Sequence, residues 1–93
     1  MTSNRIPEWA ILALEDYVNN GHYLGGFLRA VVSNNLINAF SLADDENGFI
    51  MKDYAKYVYN EMPMTSWGSE AIYEEWRKSG GLNGEDQFFT LFT

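Results

Sequence analysis

The stretch PEWAILALEDYVNNG, residues 7–21, decides the fold class. Pro7 suits a first helical position, where a missing backbone N–H costs nothing, and Gly21 suits the residue just past a helix end. Ile6, Ala10, Ala13, Leu14, Tyr17 and Val18 recur at three- and four-residue spacing and make one apolar stripe. The stretch therefore predicts an amphipathic helix whose stripe has to be covered by other elements.

Working outward, Asn19, Asn20 and Gly21 break that helix, and Gly25-Gly26 opens a second apolar run over 27–43. Phe27, Leu28, Val31, Val32, Leu36, Ala39 and Phe40 keep a helical period through it. Ser33, Asn34 and Asn35 stand in its middle and favour caps over helix interiors, so the run predicts two short helices with a bend near Asn34. Asp44, Asp45 and Glu46 place carboxylates where the dipole of a next helix, over 45–61, favours them. Met51, Ala55, Val58 and Met62 continue a stripe toward Pro63. Residues 62–68 read as a connection. Ser69 then fits an N-cap, Glu70 a first turn, Arg77 and Lys78 a last turn, and Gly80-Gly81 an end, which predicts a helix over 70–79.

No sustained period-two alternation demands a sheet, and no internal repeat is present. The expectation is an all-α fold, a compact bundle of four to five short helices with an apolar C-terminal tail. Residues 1–81 form the helical domain and residues 82–93 the tail, in which Phe88, Phe89, Leu91 and Phe92 follow the turn-like Asn83-Gly84. A tail this apolar either docks on the body or binds something.

Ninety-three residues support one core. With 3 Trp, 6 Tyr and 6 Phe, such a core has too little interior for every ring, so some aromatic surface is expected to face solvent, a ligand or a partner. Cysteine is absent, which excludes disulfides, thiolate metal sites and a cysteine nucleophile. No apolar run is long enough for a signal peptide or a membrane span, so the expected location is the cytoplasm of a host cell, with no membrane contact.

The formal charge is −7. Arg5 and Arg29 against Glu8, Glu15 and Asp16 leave the first forty residues at −1, so the remainder carries −6. Nucleic-acid binding needs a basic footprint to displace counterions, and six scattered Lys and Arg residues do not form one. Direct nucleic-acid contact is not expected. An acidic surface instead complements a basic one on another protein.

Residues able to do chemistry are few. His22, the only histidine, sits in a loop with no nucleophile beside it. Asp44-Asp45-Glu46-Asn47-Gly48 is the densest oxygen cluster, but a calcium loop with Gly48 at its sixth position would have Ala43 first and Tyr54 twelfth, so helix capping is the better reading. Glu70, Glu74 and Glu75 form a solvated helix face beside Lys78. Gly25-Gly26 lacks the strand and further glycine of a phosphate loop. No enzyme activity, cofactor or metal is expected.

The segment holding Tyr54, Tyr57, Tyr59, Met62, Met64, Trp67, Tyr73 and Trp76 is the richest in aromatics and methionine, and the acidic excess surrounds it. Apolar anchors within an acidic rim suit a basic partner. The candidate partner-binding residues are Tyr57, Trp67, Glu70, Tyr73, Glu74, Glu75 and Trp76, with Phe88, Phe89 and Phe92 of the tail.

At Ile6-Pro7, Gly25-Gly26-Phe27-Leu28, Ala30-Val31, Ser33-Asn34, Leu36, Ala39-Phe40, Ala43-Asp44, Tyr59-Asn60, Pro63, Trp67-Gly68-Ser69, Trp76 and Gly80-Gly81 the chain resembles a family of small phage and prophage proteins of unassigned function. The resemblance covers residues 6–81 and implies fold and viral provenance. It lends no catalytic residues to these positions. It makes a host-protein binder the expected function, with inhibition of a host defence protein as the concrete form. Two alternatives stay open: a self-associating structural protein, dimeric through its tail, and a binder of a small molecule or nucleotide beside Gly25-Gly26.

Overall fold

The computed structural model describes residues 5–84. Among them are six α-helices: α1 (Glu8–Asn20), α2 (Gly26–Val32), α3 (Leu36–Leu42), α4 (Asp45–Phe49), α5 (Met51–Glu61) and α6 (Glu70–Ser79). Single 3-10 turns occupy Met64–Ser66 and Gly81–Asn83, and no strand occurs among the described residues. The all-α bundle expected from the periodicity is thus present, with six helices in place of four or five. Phe88, Phe89, Leu91 and Phe92 lie outside the described residues.

The ends of the elements follow local chemistry. The carbonyl of Pro7 accepts from the N–H groups of Ala10 and Ile11, and α1 closes at Gly21, whose N–H donates to the Tyr17 carbonyl. The break between α2 and α3 falls where Asn34 takes φ 61°, a left-handed conformation that asparagine tolerates. Asn35 then caps α3 through its side chain, Asp44 caps α4, and Ser69 caps α6.

The expected single helix over 45–61 is divided at Ile50, whose φ −109° and ψ 26° leave the helical region. Asn47-Gly48, a pair of weak helix formers, stands just before it. From the break onward Ile50, Tyr54, Val58 and Met62 form the buried stripe, and the Tyr54 hydroxyl donates to Asn47 Oδ1 at 2.7 Å across the break. Met51 and Ala55, expected in that stripe, stand beside it instead.

The core joins Ala10, Leu14 and Tyr17 of α1 to Leu28 and Val32 of α2, Tyr54 and Val58 of α5, and Tyr73 and Trp76 of α6. Each large apolar side chain so buried contributes about 1.5–3 kcal/mol relative to exposure. Tyr17 and Tyr73 stack with ring centroids 5.3 Å apart. Both hydroxyls are used: Tyr17 donates to the Ser66 carbonyl at 2.8 Å, and Tyr73 accepts from the Leu24 N–H at 3.1 Å. Trp76 donates its indole N–H to the Tyr17 carbonyl at 3.1 Å.

Where α1 and α6 end together, the backbones come too close for side chains. A Cβ on Gly81, itself at φ 74°, would lie 2.6 Å from the Asn19 carbonyl carbon and the Val18 carbonyl oxygen. One on Gly21 would lie 2.8 Å from the Arg77 carbonyl oxygen. The glycines that read as helix ends are also the contact that locks the bundle at this end.

Candidate functional site: an apolar groove between α2, α3 and α5

The helix pair α2–α3 and helix α5 converge without closing. Only Ala39 of α3 is buried, because α3 packs mainly on α2. Between α3 and α5 runs a groove of about 300 Å³. Ala30, Ala39 and Ala55 make it deep, since their short side chains leave space where a Leu would fill it. Leu36 and Met51 form one part of its walls, and Tyr59 and Trp67 another, with their rings 6.1 Å apart. The Trp67 indole N–H donates to the Met62 carbonyl at 3.4 Å, which fixes that wall to the end of α5. Asn34 and Asn35 are its polar lining residues.

Beyond the groove the apolar surface continues. Leu36, Ile37 and Phe40 are 59%, 79% and 47% exposed, and their positions along α3 place them within about 100° of one another around its axis. Leu36 belongs to both groove and stripe, so the two are one surface. Tyr59 at 73% exposure extends it on the α5 side.

The residues expected to bind a partner are divided by the fold. Trp67 lines the groove. Tyr57 lies on another side of α5, half-buried in a cleft with Glu15 and Glu61; burial first, and then these two carboxylates, hold its hydroxyl pKa up. Tyr73 and Trp76 are corrections to the sequence reading: at 0% and 6% exposure they are core residues, because their period on α6 faces α1 and α2. Glu70 and Glu74 are engaged by Arg29, which sits over the Tyr73 ring at 4.8 Å, and Glu74 also accepts from Arg77 at 3.2 Å. Ser33 donates to Glu70 at 3.1 Å, and hydrogen bonds from Arg29 hold the Glu70 carboxyl below its ordinary range. These contacts tie α2 to α6. Glu75 is exposed, and Phe88, Phe89 and Phe92 lie outside the described residues.

The residues missed by sequence reading are Leu36, Ile37, Phe40, Ala55 and Tyr59. The available signal was in α3, where Leu36, Ile37, Ala39, Phe40 and Leu42 distribute apolar groups over more of the helix than one contact covers. His22 is paired with Asp16 through its ring Nδ1, as a loop residue closing on α1. Among the described residues no three His, Asp or Glu side chains gather as metal ligands, and no helix is long and apolar enough to cross a membrane. No protein-family model, curated protein or solved structure matches the chain.

Proposed function

We propose that the chain is a protein-binding module and that the groove between α2, α3 and α5, with the exposed stripe of α3, is its contact surface. The observation that carries this reading is the continuity of Leu36, Ile37 and Phe40 with an apolar groove. An isolated exposed leucine means little, but a contiguous apolar patch beside a recess is the usual mark of an interaction site. The groove lies at the low end of the size of ligand pockets, and its lining offers two asparagines and no charged group to orient a metabolite. That lining favours apolar side chains of another polypeptide. The resemblance to small phage and prophage proteins makes a host protein the expected partner, and occupation of that partner's own binding surface the expected means of inhibition.

The test uses the full chain and an Ala55→Trp variant, which fills the groove from an exposed position, as paired baits in a host extract. The protein retained by the first bait is identified, purified and titrated against both. Loss of affinity by about thirtyfold or more in the variant, the scale of an interface hot spot, supports the reading. Equal affinity for both overturns it.

A further inference from the structure

Resting on that reading, we infer that the groove receives an amphipathic helix of a partner protein, with two large apolar anchors on one face and carboxylates on the flank that meets Lys52 and Lys56. The dimensions point to a helix. Along α5 the groove extends from Met51 to Tyr59, about 12 Å or two helical turns. A cavity of about 150 Å³ holds one benzene, so the groove's 300 Å³ admits two side chains of that size. Anchors three or four residues apart on a helix match that length. Its alanine-lined depth lets a helix backbone approach closely.

Charge selects the flank. Lys52 and Lys56 each follow a groove residue, Met51 and Ala55, by one position, so they stand one turn apart on the solvent side of the same two turns. Both are exposed, and neither takes part in an ion pair among the described residues. Their nearest acidic neighbour on the helix, Asp53, is held by Arg5 at 3.3 Å and also lies within electrostatic reach of Lys56, with which it forms no ion pair. Across the groove, α3 (Leu36–Leu42) contains no charged residue. Although the whole chain carries −7, charges beyond about 8 Å are largely screened at physiological ionic strength. The two lysines therefore set the sign of the field at the groove. This departs from the expectation of a basic partner, which leaned on the −6 charge beyond residue 40 and on Glu70, Glu74 and Glu75; of these three, Glu70 and Glu74 are engaged by Arg29 and Glu75 is exposed on α6.

The probes are two synthetic alanine-based helices, each with two leucines four residues apart, one flanked by glutamates and the other by lysines. They are titrated into the full chain while the methyl signals of Ala30, Ala39, Ala55 and Met51 are followed by NMR. The glutamate helix is expected to shift these signals and to bind about three- to tenfold more tightly than the lysine helix, the scale of two exposed ion pairs. The double variant Lys52→Glu, Lys56→Glu is expected to invert that order, and Ala55→Trp to abolish both. Equal binding of the two helices overturns the charge assignment and leaves the groove reading standing. Absence of any methyl shift overturns both. Two further outcomes overturn the helix as occupant: methyl shifts that change on tenfold dilution of the protein alone point to a second copy, and shifts produced by Phe88→Ser, Phe89→Ser without peptide point to this chain's own segment 85–93.

Discussion

Tyr73 shows what a single residue contributes here and what its letter conceals. Its hydroxyl is the acceptor for the buried Leu24 N–H, so Tyr73→Phe leaves that donor unsatisfied. The expected cost is about 1–3 kcal/mol, measured by denaturant unfolding, whereas Tyr57→Phe in the half-buried cleft is expected to change stability by less than about 0.5 kcal/mol. At Gly81 the same measurement is expected to show a loss of at least about 1–2 kcal/mol on Gly81→Ala, since a left-handed φ and a Cβ within 2.6 Å of α1 backbone act together. Retention of wild-type stability in Gly81→Ala would contradict the close approach. Sequence alone identified Gly80-Gly81 as a helix end. It carried no sign that Gly81 meets Asn19, because an approach between positions 62 apart leaves no local pattern.

Among the elements, those written in turn and cap residues were legible. The bend at Asn34, the capping of α3, α4 and α6, the end of α1 at Gly21 and the bounds of α6 stand where the sequence placed them, while Pro7 is the extended N-cap of α1 rather than its first helical residue. The break at Ile50 was not read from the sequence, although the weak helix formers Asn47-Gly48 stand just before it. Nor was the exposure of α3. Periodicity tells which apolar residues share a face, and it is silent on whether another element covers that face. The burial of Tyr73 and Trp76 and the exposure of Leu36 and Phe40 are two results of that silence. Because Ile37 supports no core contact, Ile37→Ser is expected to leave the melting temperature within about 2 °C while weakening partner binding, read by calorimetry. A large loss of stability would mean that α3 is held by more than Ala39.

For the molecule as a whole, three hydrogen-bonded carboxylates set the response to acid. The carboxyls of Asp16, Asp53 and Glu70 are held below their ordinary range, chiefly by hydrogen bonds from Asn20, Arg5 and Arg29 respectively. A group whose pKa is depressed by folding adds stability that is complete above its unfolded value, about 3.9 for Asp and 4.3 for Glu, and lost as pH falls through its folded value. The melting temperature is therefore expected to hold level from pH 7 to about 5 and to fall below about 4. Arg29→Met is expected to make that fall shallower by removing the Glu70 contribution, and an unchanged slope would count against the α2–α6 pairing.

The groove brings together alanines at single positions, a helix left uncovered, and a lining without a charged residue. The most direct measurement is the affinity of the identified partner for the full chain and for Ala55→Trp, with folding of the variant verified by its unfolding curve. The variant is expected to be folded and to bind at least about thirtyfold more weakly. A folded variant that binds as tightly as the natural chain would contradict it.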